Sequence, residues 1–192
     1  MNFACKSALA GAALALGVAM TAASFVPSHA AETKMVGGAE MYPNKNIIQN
    51  AMNSKDHTTL VAAVKAAGLV ETLQGKGPFT VFAPTNEAFA KLPKGTVDTL
   101  LKPENKAQLT KILTCHVVAA DAMSSAIKKM IKDDGGAHKV KTVGGCMLTV
   151  KNAGDAITIT DEKGQTAKVT IADVKQSNGV IHVIDTVLLP AG

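Results

Sequence analysis

The chain has 192 residues, 47% hydrophobic and 18% charged, with five Phe, one Tyr and no Trp. That length suits one domain plus a processed segment, and the lack of low-complexity tracts excludes a disordered or fibrous chain. The formal net charge of +5 rests on 20 basic residues, every one a Lys. Without the planar guanidinium fork of Arg, and with few aromatic rings to stack bases, nucleic acid is excluded as a partner class.

Residues 1–30 read as an export signal. Lys6 provides a positive start, residues 8–23 (ALAGAALALGVAMTAA) an uncharged apolar run, and Ser28 and Ala30 the two small residues that a signal peptidase reads. The run is shorter than the roughly 20 apolar residues of a bilayer crossing, which sets the signal above the alternative of an uncleaved membrane helix. The processed chain is expected outside the cytoplasm, periplasmic or secreted, with no membrane insertion. Its cysteines are then Cys115 and Cys146, an even pair in an oxidising compartment. A disulfide between them is expected, with two buried free thiols as the alternative.

Residues 31–44 read as a flexible lead-in, because Gly37, Gly38 and Pro43 break any periodicity. The domain proper is placed at residues 45–190. Its first half is helical: residues 46–52 form a short helix, and residues 56–67 set Leu60, Val61 and Val64 on one face with Gly68 as the stop. Residues 79–83 (FTVFA) have the β-branched and aromatic content of a buried strand, ended by Pro84. Thr85 or Asn86 then caps a short helix. Leu109, Ile112 and Leu113 mark another helix, feeding a strand at residues 116–118, and a further helix spans residues 121–132. The second half changes period: residues 139–143, 147–150, 156–160, 166–171 and 180–189 are short runs rich in Val, Ile and Thr between Gly-containing turns. Helices first and strands afterwards define an α+β fold, with helices packed on an antiparallel sheet or sandwich.

A search for chemistry finds little. Cys115 and His116 are neighbours on an expected strand, so their side chains point to opposite faces and cannot form a thiolate–imidazolium dyad. No two of His57, His116, His138 and His182 have metal-ligand spacing. The scattered Met residues fit helix cores better than a copper site. The acid pairs Asp133–Asp134 and Asp161–Glu162 lie in turns. No phosphate-loop or dinucleotide pattern is present, so no enzyme activity and no cofactor are expected.

Two segments carry a family resemblance. Residues 77–89 (GPFTVFAPTNEAF) and 178–190 (NGVIHVIDTVLLP) resemble the two signature boxes of the fasciclin domain, and residues 113–118 (LTCHVV) resemble its central Tyr-His segment. The resemblance implies a fasciclin-like fold and a non-catalytic module for cell adhesion or macromolecular contact at the envelope, the matrix or a host surface. An apolar cleft between helices and sheet that carries a small ligand is the alternative. Cys115 stands where the family usually has Tyr, so of the Tyr-His pair only His116 is kept. An Asp-Ile adhesion pair of some animal relatives falls by position on Asp173 and Val174. The implied contact surface joins residues 173–178, ending in Asn178, to the edge near His116. Thr85, Asn86, His182 and Asp185 are implied as structural residues of the boxes, His182 as a hydrogen-bonded core histidine and Asp185 as an acceptor for backbone amides.

Overall fold

The computed structural model describes residues 33–191, and the expected export signal lies outside the described residues. The residues read as a lead-in hold a β-hairpin, β1 (Lys34–Val36) and β2 (Ala39–Met41). Gly37 and Gly38, both at positive φ, make the two-residue turn rather than a break. Val36 and Met41 are buried, and the Gly37 carbonyl accepts the Lys55 N–H at 3.2 Å, so the hairpin is stitched to the body.

Six α-helices follow in the first half of the described residues: α1 (Ile47–Ala51), α2 (Thr58–Ala67), α3 (Val70–Gln74), α4 (Asn86–Ala90), α5 (Thr96–Leu100) and α6 (Lys106–Cys115). Local chemistry sets their ends. Asn46 closes a capping box with Gln49 at the start of α1. Gly68 ends α2 in the left-handed conformation, where its N–H returns to the Lys65 and Val64 carbonyls. After β3 (Phe79–Pro84) and β4 (Val117–Val118) comes α7 (Ser124–Asp133), then β5 (Ala137–Lys141), β6 (Met147–Ala153), β7 (Ala156–Thr160), β8 (Thr166–Gln176) and β9 (Gly179–Ile184).

Strands β3 to β9 form one sheet in the order β4-β3-β9-β8-β7-β6-β5. The fold is α+β, helices against a curled sheet. Five of its pairings are antiparallel; β3 and β9 run parallel, in register from Phe79 opposite Gly179 to Pro84 opposite Ile184. Parallel strands need cover on both faces, and alternation supplies it. Val81, Ala83, Ile181 and Val183 enter a core shared with α1, α2, α4 and α6, whereas Phe82 and Ile184 enter a second core with Ile127 and Ile131 of α7 and Leu148, Val150, Ile157 and Ile159.

Several boundaries shift from the sequence reading, β6 and β8 running longer than expected, and two of the shifts bear on the site. Cys115 is the last residue of α6 and His116 its cap, because the His116 ring bonds back to the Ile112 carbonyl and completes the final turn. The strand expected over residues 180–189 stops at Ile184, where Asp185 turns its carboxylate to the Lys168 N–H.

Cys115 and Cys146 are joined as a disulfide, with their Cα atoms 5.4 Å apart, within the usual span of such a bridge. It ties the end of α6 to the turn between β5 and β6, beside the bond from the Val143 N–H to the Val117 carbonyl at 2.8 Å. The two margins of the curled sheet, β4 and β5, are held together there. The bridge closes a loop of 31 residues, so replacing both cysteines by serine is expected to cost about 3 to 4 kcal/mol by chain entropy. Urea denaturation of the oxidised and C115S/C146S proteins checks this; equal midpoints would show the bridge to be energetically idle.

Candidate interaction groove

A polar groove of about 760 Å³ opens where β3 and β9 begin, lined by residues 74–78 and 175–180 with Asn46, Asp121 and Met123. Its floor is made by the starts of the two boxes. The Phe79 N–H donates to the Asn178 carbonyl at 3.1 Å, and the backbones approach so closely that a Cβ on Gly77 would strike that carbonyl and one on Gly179 the Phe79 carbonyl. Asn178 locks the junction. Its Nδ2 donates to the Leu73 and Gly75 carbonyls at 2.8 and 3.0 Å, and its Oδ1 accepts the Ile47 N–H at 3.1 Å. Both amide hydrogens and one oxygen lone pair of this side chain are thereby directed into the fold.

Just upstream, β8 carries two irregularities, between Val169 and Ile171 and between Ile171 and Val174. Asp173 occupies the second at φ 58°, a left-handed conformation that Asp tolerates better than most residues. Its carboxylate accepts the Ser124 N–H at 2.6 Å and the Ser124 hydroxyl, capping α7 from another strand. Burial alone would raise this carboxyl, but the two Ser124 bonds, aided by His182 and Lys34, hold it below the usual carboxylate range. Val174, next to it, is buried.

His116 and His182 are both buried hubs with opposite tautomers. At His116 the Leu188 N–H donates to Nε2 at 2.9 Å, which leaves the proton on Nδ1, donated to the Ile112 carbonyl at 2.8 Å. At His182 the Asp173 N–H donates to Nδ1 at 3.3 Å, and Nε2 carries the proton to the Ala122 carbonyl at 2.8 Å. Burial lowers both pKa values, that of His116 to about 4. Protonation would set N–H against N–H at each acceptor nitrogen.

The first box divides its capping work in a way its sequence left open. The Thr85 hydroxyl accepts the Ala88 N–H and caps α4, while Asn86 accepts the Thr59 N–H at 3.0 Å and donates to the Lys55 carbonyl at 2.8 Å, clamping the start of α2. Asp185 accepts the Lys168 N–H at 2.9 Å, with Lys91 at 3.7 Å.

Of the four residues implied as contacts, His116 and Val174 are therefore interior, because each fills a core position, while Asp173 and Asn178 are half-buried and committed to internal bonds. The exposed rim is Gln74, Lys76, Pro78, Asp121, Lys175 and Ser177. Lys175 and Ser177 fall within the expected contact segment 173–178; Gln74, Lys76, Pro78 and Asp121 lie outside it, since nothing in their spacing distinguishes them from ordinary surface residues. Ser124, Asp173 and His182 have the composition of a hydrolytic triad but the wrong connections: the hydroxyl meets the carboxylate directly, and both ring nitrogens are engaged by backbone. Among the described residues no group of three or more His, Cys, Asp or Glu could hold a metal, and no helix is long and apolar enough to cross a membrane.

The fasciclin-domain family model matches residues 55–190, and the chain belongs to that family. It is 49% identical over 146 residues to a Synechocystis protein named sll1483, covering 75% of this chain and 73% of that one. The cell surface glycolipoprotein MPB83 of Mycobacterium bovis is 39% identical over 145 residues, covering 73% of this chain and 58% of that one. A solved structure of a domain pair from the insect cell adhesion molecule fasciclin I shares the fold, with a TM-score of 0.53 and 24% identity over 68% of this chain and 43% of that one.

The buried histidines make stability depend on pH. An unfolded chain protonates His near 6.5, but the folded chain does not protonate His116 until about 4, so stability is full above 6.5 and is lost as the pH falls through that window. The loss from His116 is about 3 kcal/mol, and the lowered His57 and His182 act in the same direction. Urea midpoints at pH 7.5 and 4.5 should drop markedly for the native chain and less for H116Q. Equal drops would remove His116 as the cause. N178A, which strips three internal bonds, is expected to lower stability by about 2 to 4 kcal/mol, read from the same midpoints.

Proposed function

We propose that this chain is exported by residues 1–30 and acts in the periplasm or outside the cell as a non-catalytic binding module. Its partner is a macromolecule of the envelope, the matrix or a host surface. One observation carries the reading: at the groove the Asn178 side chain is bonded internally to three backbone groups, while the rim of Lys76, Asp121, Lys175 and Ser177 is exposed. A rigid polar floor with uncommitted charged side chains around it suits docking, where order is built in before the partner arrives. The name of the mycobacterial relative places that protein at the cell surface, and the insect structure belongs to an adhesion molecule; both support the same reading here.

Within residues 173–178 the contacts are assigned to Lys175 and Ser177, with Asp173, Val174 and Asn178 shaping the segment from behind. Small-ligand carriage is the alternative, and volume weighs against it. The apolar cavity between α1, α2 and the sheet holds about 30 Å³, the space of one water, whereas ligand sites run to roughly 300 Å³ and more. His57 and His116 line it, and His57 Nε2 has no hydrogen-bond partner among the described residues, the Ala83 carbonyl acting on the ring without reaching bonding geometry.

Crosslinking on intact cells, followed by recovery of this chain, is expected to yield a discrete macromolecular adduct that is reduced at least tenfold in K76E/K175E. An adduct unchanged by that variant would move the contact elsewhere. A stoichiometric small mass in native mass spectrometry of the protein from its own envelope would replace the reading with the carrier.

A further inference from the structure

The curled sheet is almost closed, and the place where it fails to close is a second site. Its outer strands are β4 and β5. At one end they are tied by the Val143 N–H to Val117 carbonyl bond and by the disulfide. Further along they part. The chain after Val118 turns away as Thr80 Oγ1 donates to the Ala120 carbonyl and accepts the Ala122 N–H, at 2.6 and 2.8 Å. Between them lies a slot of about 210 Å³, walled by Phe82, Val118, Ile127, Met130, Val140 and Val150.

The register of β5 shows what its edge offers. Thr142 turns its N–H to the Cys146 carbonyl, and Val143 turns the opposite way, to Val117. Backbone groups alternate along a strand, so Lys139 and Lys141 present their N–H and C=O groups on the Val143 side, while among the described residues β5 pairs with β6 alone. Their side chains are exposed, and neither is in an ion pair among the described residues. Of the acids around the slot, Asp133 is engaged by Lys129, Asp134 by His138 and Glu162 by the Met147 and Ala191 N–H groups, while Asp121, between the slot residues Ala120 and Ala122, lines the polar groove.

We propose that this slot receives an extended acidic peptide segment of a partner protein, added as a further strand on the free edge of β5. Five residues of β5 span about 17 Å, so the recognised segment is five or six residues long. Alternate side chains fill different roles: apolar ones enter the slot beside Val140, and acidic ones lie outward beside Lys139 and Lys141. A second copy of this chain is not the occupant, because edge-to-edge pairing would set those lysines against their own counterparts. The proposal rests on the reading of the chain as a binding module; the slot adjoins the polar groove along residues 120–123 but uses Lys139 and Lys141 where the groove uses Lys76 and Lys175, so either can fail alone.

The test titrates ¹⁵N-labelled protein, produced from the full sequence, with the synthetic peptide Glu-Val-Glu-Val-Glu-Val, its Lys-Val counterpart and a block-ordered Glu-Val control. Amide shifts confined to residues 118–122 and 137–141 are expected with the first peptide only. K139E/K141E, a surface change that leaves the spectrum folded, should weaken binding at least tenfold, and K76E/K175E should leave it unchanged. No shifts at millimolar peptide, equal binding of the lysine peptide, shifts elsewhere, or self-association lost in K139E/K141E would each overturn the proposal.

Discussion

The fold hangs on the junction where Phe79 and Asn178 meet. There the first and last boxes, about a hundred residues apart, start side by side as parallel strands, and a parallel pair cannot rest on a solvent-facing side. Every larger feature follows from covering it twice. The helices of the first half take one face, α7 and the later strands take the other, and two hydrophobic interiors share β3 and β9 as their common wall. The Asn178 side chain fixes the approach of α1 and α3 to that wall, which is why a single amide organises three separate segments.

Several of the buried and half-buried polar side chains in this molecule join elements rather than face water. Asn86 holds α2 to the first box, Asp173 holds α7 to β8, and His116 holds the end of α6 to Leu188 in the tail of the last box. Each is a buried or half-buried group with its bonding satisfied, the condition under which such groups give a unique arrangement rather than a penalty. Residues that look chemically equipped in the sequence are thus occupied with architecture. At the groove and along β5 the exposed side chains are plain lysines and a few polar residues.

Much of the architecture was legible because it is local. The helix caps, the Gly68 stop, the FTVFA strand and the alternation of AITIT depend on neighbours within a few positions, and the boxes carried the family. Three features were not legible, each for a physical reason. Parallel pairing of β3 with β9 is a long-range contact with no local signature. The hairpin at residues 34–41 was hidden because two glycines signal a turn and a loop alike, and only the burial of Val36 and Met41 separates the two. The interior positions of His116 and Val174 go with a helix that runs to Cys115 and takes His116 as its cap, and with an irregular β8, neither of which periodicity reveals.

The family match begins at residue 55, yet Val36, Met41, Ile47 and Ile48, all ahead of it, are among the most enclosed apolar side chains of the first interior. Trimming the chain to the matched residues would not yield a minimal version of the molecule. It would peel away one wall and leave Leu60, Val64 and Leu73 facing solvent, a greasy scar that invites clumping. The working unit of this protein is therefore longer at its front than the family signature marks out.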